Sequence, residues 1–193
     1  MDIIQRVKEI TLKPKETWPT IKREETTIKE LYTSYAVILA AIPPLASIVG
    51  VSLLDFSMAR YHYQISIGES ISQAVISYGL SLAGLYVIAQ IIDSLASRFG
   101  SQKNLVNALK VSVFSSTPSW VAGFFLIFPI LTPLVLAFSF YSLYLFYLGL
   151  PILMDTPKGK TLGYFLITIL CILAAFILIG FISRFLLILA VWV

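Results

Sequence analysis

Long apolar stretches constrain this chain more than any other feature of its sequence. Hydrophobic residues make up 58% of the 193 residues and charged residues only 12%, whereas a soluble domain carries about 25% charged residues. A helix needs about 20 apolar residues to cross a bilayer. The sequence therefore predicts an all-α polytopic membrane protein, a five-helix bundle in contact with the lipid bilayer, with spans at residues 32–54, 71–95, 109–128, 134–154 and 162–183.

The positions of the basic residues predict the orientation of the chain. Of the 14 Lys and Arg residues, 12 lie before span one, between spans two and three (counting Lys110, at the start of span three, with that loop), or between spans four and five, which are segments on one side of a five-span chain. The positive-inside rule places that side in the cytoplasm. The sequence thus predicts a multi-pass protein of the cell membrane with a cytoplasmic N-terminus and an external C-terminus. Because the charges are scattered between apolar stretches, we expect no nucleic-acid partner.

Residues 1–30 form a polar segment ahead of a membrane domain at residues 31–193. Ile3, Ile4, Val7 and Ile10 recur at helical spacing and predict a short amphipathic helix. Such a helix either lies in the membrane interface or packs against the rest of the protein, and the pattern is compatible with both. The segment contains 7 basic and 6 acidic residues, so strong electrostatic attraction to anionic lipids is not expected.

Prolines interrupt two of the predicted spans. Pro43 and Pro44 lie near the middle of span one, and Pro118 lies within span three. Each proline removes a backbone N–H and leaves a carbonyl one turn earlier without its helical donor, so we expect kinks or breaks. The hydroxyl groups at residues 115–117 either satisfy the broken backbone or line a polar cavity, as in transporters with discontinuous helices.

Catalytic and metal-binding patterns are missing from the sequence. There is no cluster of His or Cys at metal-ligand spacing, no phosphate-binding glycine loop and no nucleophile elbow. The only histidine, His62, lies in the polar loop between spans one and two, and the only cysteine, Cys171, lies within an apolar stretch. The sequence therefore predicts a protein with no enzymatic activity, no metal and no cofactor.

Polar groups inside a membrane are costly, and each is a candidate functional group. Asp93 is the most distinctive, although pairing with Arg98 or Lys103 at the cytoplasmic surface would give it a structural role. Together with Trp18 at the membrane interface, the candidate functional or partner-binding positions are Asp93, Phe99, Gly100, Asn104, Ser116, Thr117, Pro118, Trp120, Tyr141, Tyr144, Gly149 and Asp155.

Four stretches in order along the chain resemble the prokaryotic branch of the Yip family, membrane proteins related to the Ypt/Rab-interacting proteins. They are residues 12–18, 93–104, 116–120 and 141–151. The chain departs from the family pattern at Ser101, where a second glycine is usual. The resemblance implies a five-span helical fold with a cytoplasmic N-terminus. Eukaryotic relatives resemble adaptors that bind small GTPases, but this chain is compact and similar to prokaryotic members, so that partner is not carried over.

Two functions remain open at the level of sequence. The first is a non-enzymatic membrane adaptor or organiser with a partner surface for a cytoplasmic protein. The second is a small ion or solute transporter or channel, with a polar cavity near Asp93 and residues 115–118, acting as a homo-oligomer because five spans do not divide into an inverted repeat. The first predicts a closely packed bundle, and the second predicts a hydrated path.

Overall fold

A computed structural model describes residues 2–58 and 67–191 of the chain, and this part is all helical, without a strand. His62 and its neighbours lie outside the described residues. The α-helices, in chain order, are α1 (Ile3–Leu12), α2 (Pro14–Arg23), α3 (Ile28–Leu31), α4 (Val37–Ala40), α5 (Ile42–Met58), α6 (Ile67–Ala96), α7 (Leu105–Ser115), α8 (Thr117–Ala122), α9 (Thr132–Leu153) and α10 (Thr161–Val191).

Four helical stretches of the described residues are long and apolar enough to cross a membrane. They are Ile28–Gly50, Ile67–Phe99, Thr132–Leu153 and Thr161–Leu178, and they match predicted spans one, two, four and five. Large apolar side chains on their outer faces are exposed, as expected for surfaces in contact with lipid rather than water. Four of the five predicted spans are therefore present as helices with the length and apolar character that crossing a membrane requires.

Predicted span three is a broken element. Residues 109–128 fall in α7, α8 and the 3₁₀ turn Gly123–Ile127, each too short to cross a bilayer alone. The break lies at Ser116, whose N–H donates to the carbonyl of Val113 at 3.2 Å. Pro118 follows at the second position of α8, where its missing N–H costs least. The expected break at this proline is thus observed, and five continuous spans are not.

The first span is also irregular. It begins with α3, passes through a π-turn at Tyr32–Ala36, and breaks again at Ala41, just before Pro43. Tyr78 on α6 donates its hydroxyl to the carbonyl of Val37 at 2.9 Å, and Tyr32 donates to the carbonyl of Leu82 at 2.9 Å. The bond from Tyr78 supplies a donor to a carbonyl where the regular helical pattern is disturbed, and both bonds tie the kinked span to its neighbour.

The hydrophobic core is concentrated where the N-terminal helices meet the bundle. Ile10, Trp18 and Ile21 are fully buried and share one cluster with Phe114 on α7 and Leu150 on α9. The predicted amphipathic helix is present as α1, with Asp2 capping its N-terminus through a 3.0 Å hydrogen bond from the N–H of Ile4. The N-terminal segment and the membrane domain therefore share one core.

Not all of the predicted apolar face of α1 is buried. Ile10 is fully buried, and Ile3 and Val7 pack against the core, whereas Ile4 is 80% exposed. The packed alternative therefore accounts for three of the four apolar positions. Contact between the exposed side of α1 and lipid stays a prediction.

Gly123 allows α5 and the 3₁₀ turn Gly123–Ile127 to approach closely. A Cβ atom at Gly123 would lie 2.5 Å from Cγ of Pro43, closer than atoms tolerate. We expect Gly123→Ala to destabilise the protein by about 1–3 kcal/mol, because the rigid proline ring cannot move aside. The loss is measured as a lower thermal unfolding midpoint of the detergent-solubilised protein.

Gly79→Ala is the matched control for this substitution. Gly79 also lies in a membrane-spanning helix, but a Cβ atom there would meet nothing within 4 Å. The control should leave the unfolding midpoint unchanged or raise it slightly. Equal midpoints for the two variants would contradict the close contact with Pro43.

Candidate functional site

The three polar segments that the charge pattern places on one side of the membrane meet at one end of the bundle. Lys22 forms an ion pair with Asp155, the N–H of Gln102 donates to the carbonyl of Met154 at 2.9 Å, and Ser101 donates to the hydroxyl of Thr156 at 2.9 Å. We call residues 2–27, 97–104 and 154–160 the polar end. It is the candidate functional site because most of the sequence-predicted positions contact it or lie beneath it.

Trp18 anchors the N-terminal segment to the bundle. Its side chain is fully buried, and its ring meets that of Phe114 edge to face, with 6.5 Å between centroids. It lies so close to Gly149 on α9 that an added Cβ there would be 2.5 Å from the indole. Gly149, a predicted candidate, is therefore the floor of a notch that only a glycine permits.

Lys110 holds the last turn of α2. Its Nζ donates to the carbonyls of Ile21 at 3.0 Å and Glu24 at 2.5 Å. The last carbonyls of a helix lack intrahelical donors, and a cation stabilises the negative end of the helix dipole. Lys110 is 3% exposed, so this charge, counted above only as a sign of topology, is part of the packing.

Arg6 is a second buried cation that the sequence pattern did not single out. It is 8% exposed, forms an ion pair with Glu24, and its guanidinium carbon lies 5.9 Å from the centroid of the Phe114 ring. This distance allows a cation–π interaction. The sequence signal that could have pointed to the burial of Arg6 is its helical spacing from the apolar residues Ile3 and Ile10 of α1.

Tyr141 of α9 contacts the end of α1, and Tyr144 packs on it. Tyr141 donates its hydroxyl to the carbonyl of Thr11 at 2.6 Å, which satisfies one of the free carbonyls at the end of α1. Tyr144 packs on Tyr141 at 5.7 Å and is 44% exposed. Tyr141 is therefore part of the docking interface, and Tyr144 lies at its outer edge.

The segment between α6 and α7 is shaped by three of the predicted positions. Phe99 stacks on Tyr164 of α10, with ring centroids 5.0 Å apart. Gly100 ends the preceding turn at a φ of 70°, a left-handed conformation that favours glycine. Asn104 caps α7, accepting from the N–H of Asn107 at 3.0 Å. These residues have clear structural roles.

Asp93 forms no ion pair with Arg98 or Lys103 in the part of the chain that the structure describes, so the alternative of a surface ion pair is not observed. Its Oδ1 is buried without a hydrogen-bond partner. The carbonyl of the preceding Ile92 accepts a 2.5 Å hydrogen bond from Tyr164. The helix turns Asp93 toward α10 rather than toward the basic side chains that follow it.

The hydroxyl groups around the break in predicted span three are satisfied within the protein. Ser115 donates to the carbonyl of Val111 at 2.6 Å, and Ser116 donates to the carbonyl of Ser112 at 2.8 Å. Thr117 is fully buried and bonds to the hydroxyl of Tyr35 at 2.8 Å. These contacts use the hydroxyls to support the backbone and to join spans.

Pro118 and Trp120 lie in the buried part of α8. The structure gives no contact between Asp93 and the hydroxyl groups at residues 115–117, the polar positions of the hypothetical transport path. Thr117 bonds to the first span, and Asp93 lies next to the contact between α6 and α10. The predicted candidates thus divide into residues that dock the N-terminal segment and residues that shape individual helices.

The notch at Gly149 provides a direct test of the docking. We expect Gly149→Ala to displace Trp18 at a cost of about 1–3 kcal/mol, which opens the segment around Lys15 and Arg23. Trypsin cleavage of the purified protein after these two residues should accelerate roughly tenfold if cleavage follows local opening. The fragments are followed by mass spectrometry.

Gly159→Ala serves as the control, because a Cβ atom at Gly159 would meet nothing within 4 Å although the residue lies in the same polar end. Its cleavage rate should equal that of the unmodified chain. Identical rates for both variants would show that Trp18 does not hold the segment in place.

Comparisons with known proteins agree with this architecture. The family model described as the Yip1 domain matches residues 8–181, which include the second half of α1 and all of α2. Inner membrane protein YohC of Escherichia coli strain K12 is 26% identical over 155 residues, covering 78% of this chain and 80% of that protein. YohC of Escherichia coli O6:H1 matches to the same extent. No solved structure matches the chain. The resemblance seen in the sequence motifs is confirmed, and the chain is an integral membrane protein of the Yip1 family.

Proposed function

We propose that this chain is a non-enzymatic membrane adaptor or organiser, whose polar end binds a protein partner in the cytoplasm. The observation that carries the proposal is the joining of the polar segments. Lys22 links the N-terminal segment to Asp155, and Ser101 links the α6–α7 segment to Thr156. A rigid, prebuilt polar surface is suited to binding a partner with little loss of conformational entropy.

The same contacts support placing the three polar segments on one side of the bilayer. Lys22, Ser101 and the N–H of Gln102 each bond to residues 154–156, which requires that these segments share a side. This association is independent of the count of basic residues, and the proposal that the shared side is the cytoplasm rests on the positive-inside rule alone.

Transport through the Ser115–Pro118 region is less well supported. The hydroxyls of Ser115 and Ser116 donate to backbone carbonyls and that of Thr117 bonds to Tyr35, so each already has a structural role that needs no solute. One observation favours the transporter alternative. Oδ1 of Asp93 and Oγ1 of Thr168, on the neighbouring helices α6 and α10, are both buried without partners.

Site-specific photocrosslinking in cells tests the adaptor function. A photoreactive amino acid replaces Lys158, which is exposed in the polar end, and a matched probe replaces Leu170, which is 62% exposed on the membrane-spanning part of α10. We expect a discrete protein adduct from position 158 and lipid adducts from position 170. Lipid adducts alone from both positions would contradict a partner surface at the polar end.

Reconstitution in liposomes separates the two functions. The purified chain is expected to give fluxes equal to those of empty vesicles across a panel of monovalent ions, divalent ions and small neutral solutes. A flux that Asp93→Asn abolishes, with unchanged folding, would favour the transporter, because that substitution removes the charge and keeps the shape. The control Asp155→Asn changes a carboxylate that already pairs with Lys22.

A further inference from the structure

The outer side of the membrane-spanning helix α6 carries a polar ridge. Tyr86, Gln90 and Ser94 follow one another at a spacing of four residues, so they lie on one face of the helix. All three are exposed, and they line a groove of about 610 Å³ together with Cys171 of α10. The amide of Gln90 and the hydroxyl of Ser94 form no hydrogen bond with any residue that the structure describes. The ridge therefore has hydrogen-bonding groups that the single chain does not use.

Gln90 lies near the middle of the bilayer. Cys171, which lines the same groove, comes ten residues after the start of the spanning stretch Thr161–Leu178. A helix rises about 1.5 Å per residue, so this level lies about 15 Å into the span, half the thickness of a hydrocarbon core of about 30 Å. Lipid tails offer no hydrogen bond, and an amide in hydrocarbon without a partner is strongly unfavourable. The exposed amide of Gln90 therefore requires a protein partner at this depth.

Small residues continue the ridge toward the other side of the membrane. Gly79 and Ala83 precede Tyr86 on the same face of α6. Both are exposed, and a Cβ atom at Gly79 would meet nothing within 4 Å. Small residues let two helix backbones approach closely, and Gln and Ser side chains hydrogen-bond across helices in membranes. Gly79, Ala83, Tyr86, Gln90 and Ser94, called here the α6 face, therefore have the composition of an interface between helices.

The α6 face is complementary to itself. The bias of basic residues toward one side gives every copy of the chain the same orientation, so two copies that pair through α6 run parallel. A two-fold axis along the membrane normal then places each residue of the face opposite its own counterpart at the same depth. Because an amide is both a donor and an acceptor, the two Gln90 side chains satisfy each other. A different protein would need a polar side chain at this depth by coincidence.

We propose that a second copy of this chain binds to the α6 face and forms a parallel, two-fold symmetric dimer in the membrane. The paired amides of Gln90 lie at the centre of the interface, and Gly79 and Ala83 allow the two helices to meet beyond them. The dimer requires that the chain lies in a membrane, as its family membership establishes. It goes beyond the adaptor function and does not depend on it.

Disulfide cross-linking in native membranes tests the arrangement. Ala83→Cys is introduced into the full-length chain that also carries Cys171→Ser, and the membranes are treated with an apolar oxidant. We expect a covalent homodimer, because the two-fold axis places each new cysteine beside its counterpart. Leu143→Cys in the same background is the matched control, since Leu143 is 40% exposed in the middle of α9, and it should stay monomeric.

Three outcomes of the cross-linking would overturn the proposal. They are the absence of a covalent homodimer from Ala83→Cys, an equal yield from Leu143→Cys, and a cross-link from position 83 to a different protein in place of the second copy. The last outcome would show that the α6 face belongs to an interface with another membrane protein.

Gln90→Leu tests the contribution of the amide. The full-length chain is labelled and reconstituted in liposomes over a range of protein-to-lipid ratios, and dimers are counted by single-molecule photobleaching. Hydrogen bonds between helices in membranes are of modest strength, so we expect the dissociation constant of the dimer to rise about three- to tenfold. Gln73→Leu is the matched control, because Gln73 is an exposed glutamine of α6 outside the α6 face, and it should leave the constant unchanged.

The unfolding midpoint in detergent separates dimerisation from folding. Gln90 has no hydrogen-bond partner among the described residues, so Gln90→Leu should keep or raise the midpoint of the monomer. A lower midpoint would show that Gln90 serves the fold of the single chain and would refute the assignment. The same holds for an unchanged dissociation constant, or for a chain that is monomeric at every protein-to-lipid ratio.

Discussion

The docking of Trp18 against Gly149 and Phe114 is the interaction on which the rest of the polar end depends. It fixes α2 along α9 and thereby brings Lys22 to Asp155 and the end of α2 to Lys110. An indole is the largest apolar group that a chain can bury, and this one is fully enclosed. Without this anchor, the exposed Lys22–Asp155 pair would contribute little to holding the segment in place.

The docking is not fully satisfied in its hydrogen bonds. Of the six buried side-chain atoms without partners in the described residues, four belong to Arg6, Thr11 and Trp18 of the docked segment. Buried donors without acceptors each cost about 1–3 kcal/mol. The apolar contact of Trp18 and the bonds of Lys110 therefore work against an unfavourable polar contribution to the free energy of docking.

Single residues show how far the sequence could be read. Pro118 predicted a break in the third apolar stretch, and the break is present at Ser116 because a proline cannot continue the hydrogen bonds of the helix. The use of the hydroxyl of Thr117 could not be foreseen, since its partner Tyr35 lies 82 positions away. Gly149 was singled out as a motif position, but its reason is the indole of Trp18, which only the folded chain brings there.

The sequence by itself determined that this is a helical membrane protein of the Yip1 family, because the length of apolar stretches and the order of motifs are local properties of the chain. Only the tertiary structure decided that α1 and α2 share the core of the bundle, and that Arg6 and Lys110 are buried there. A buried cation is permitted only by its acceptors. Those of Lys110, the carbonyls of Ile21 and Glu24, are backbone atoms that no residue pattern identifies.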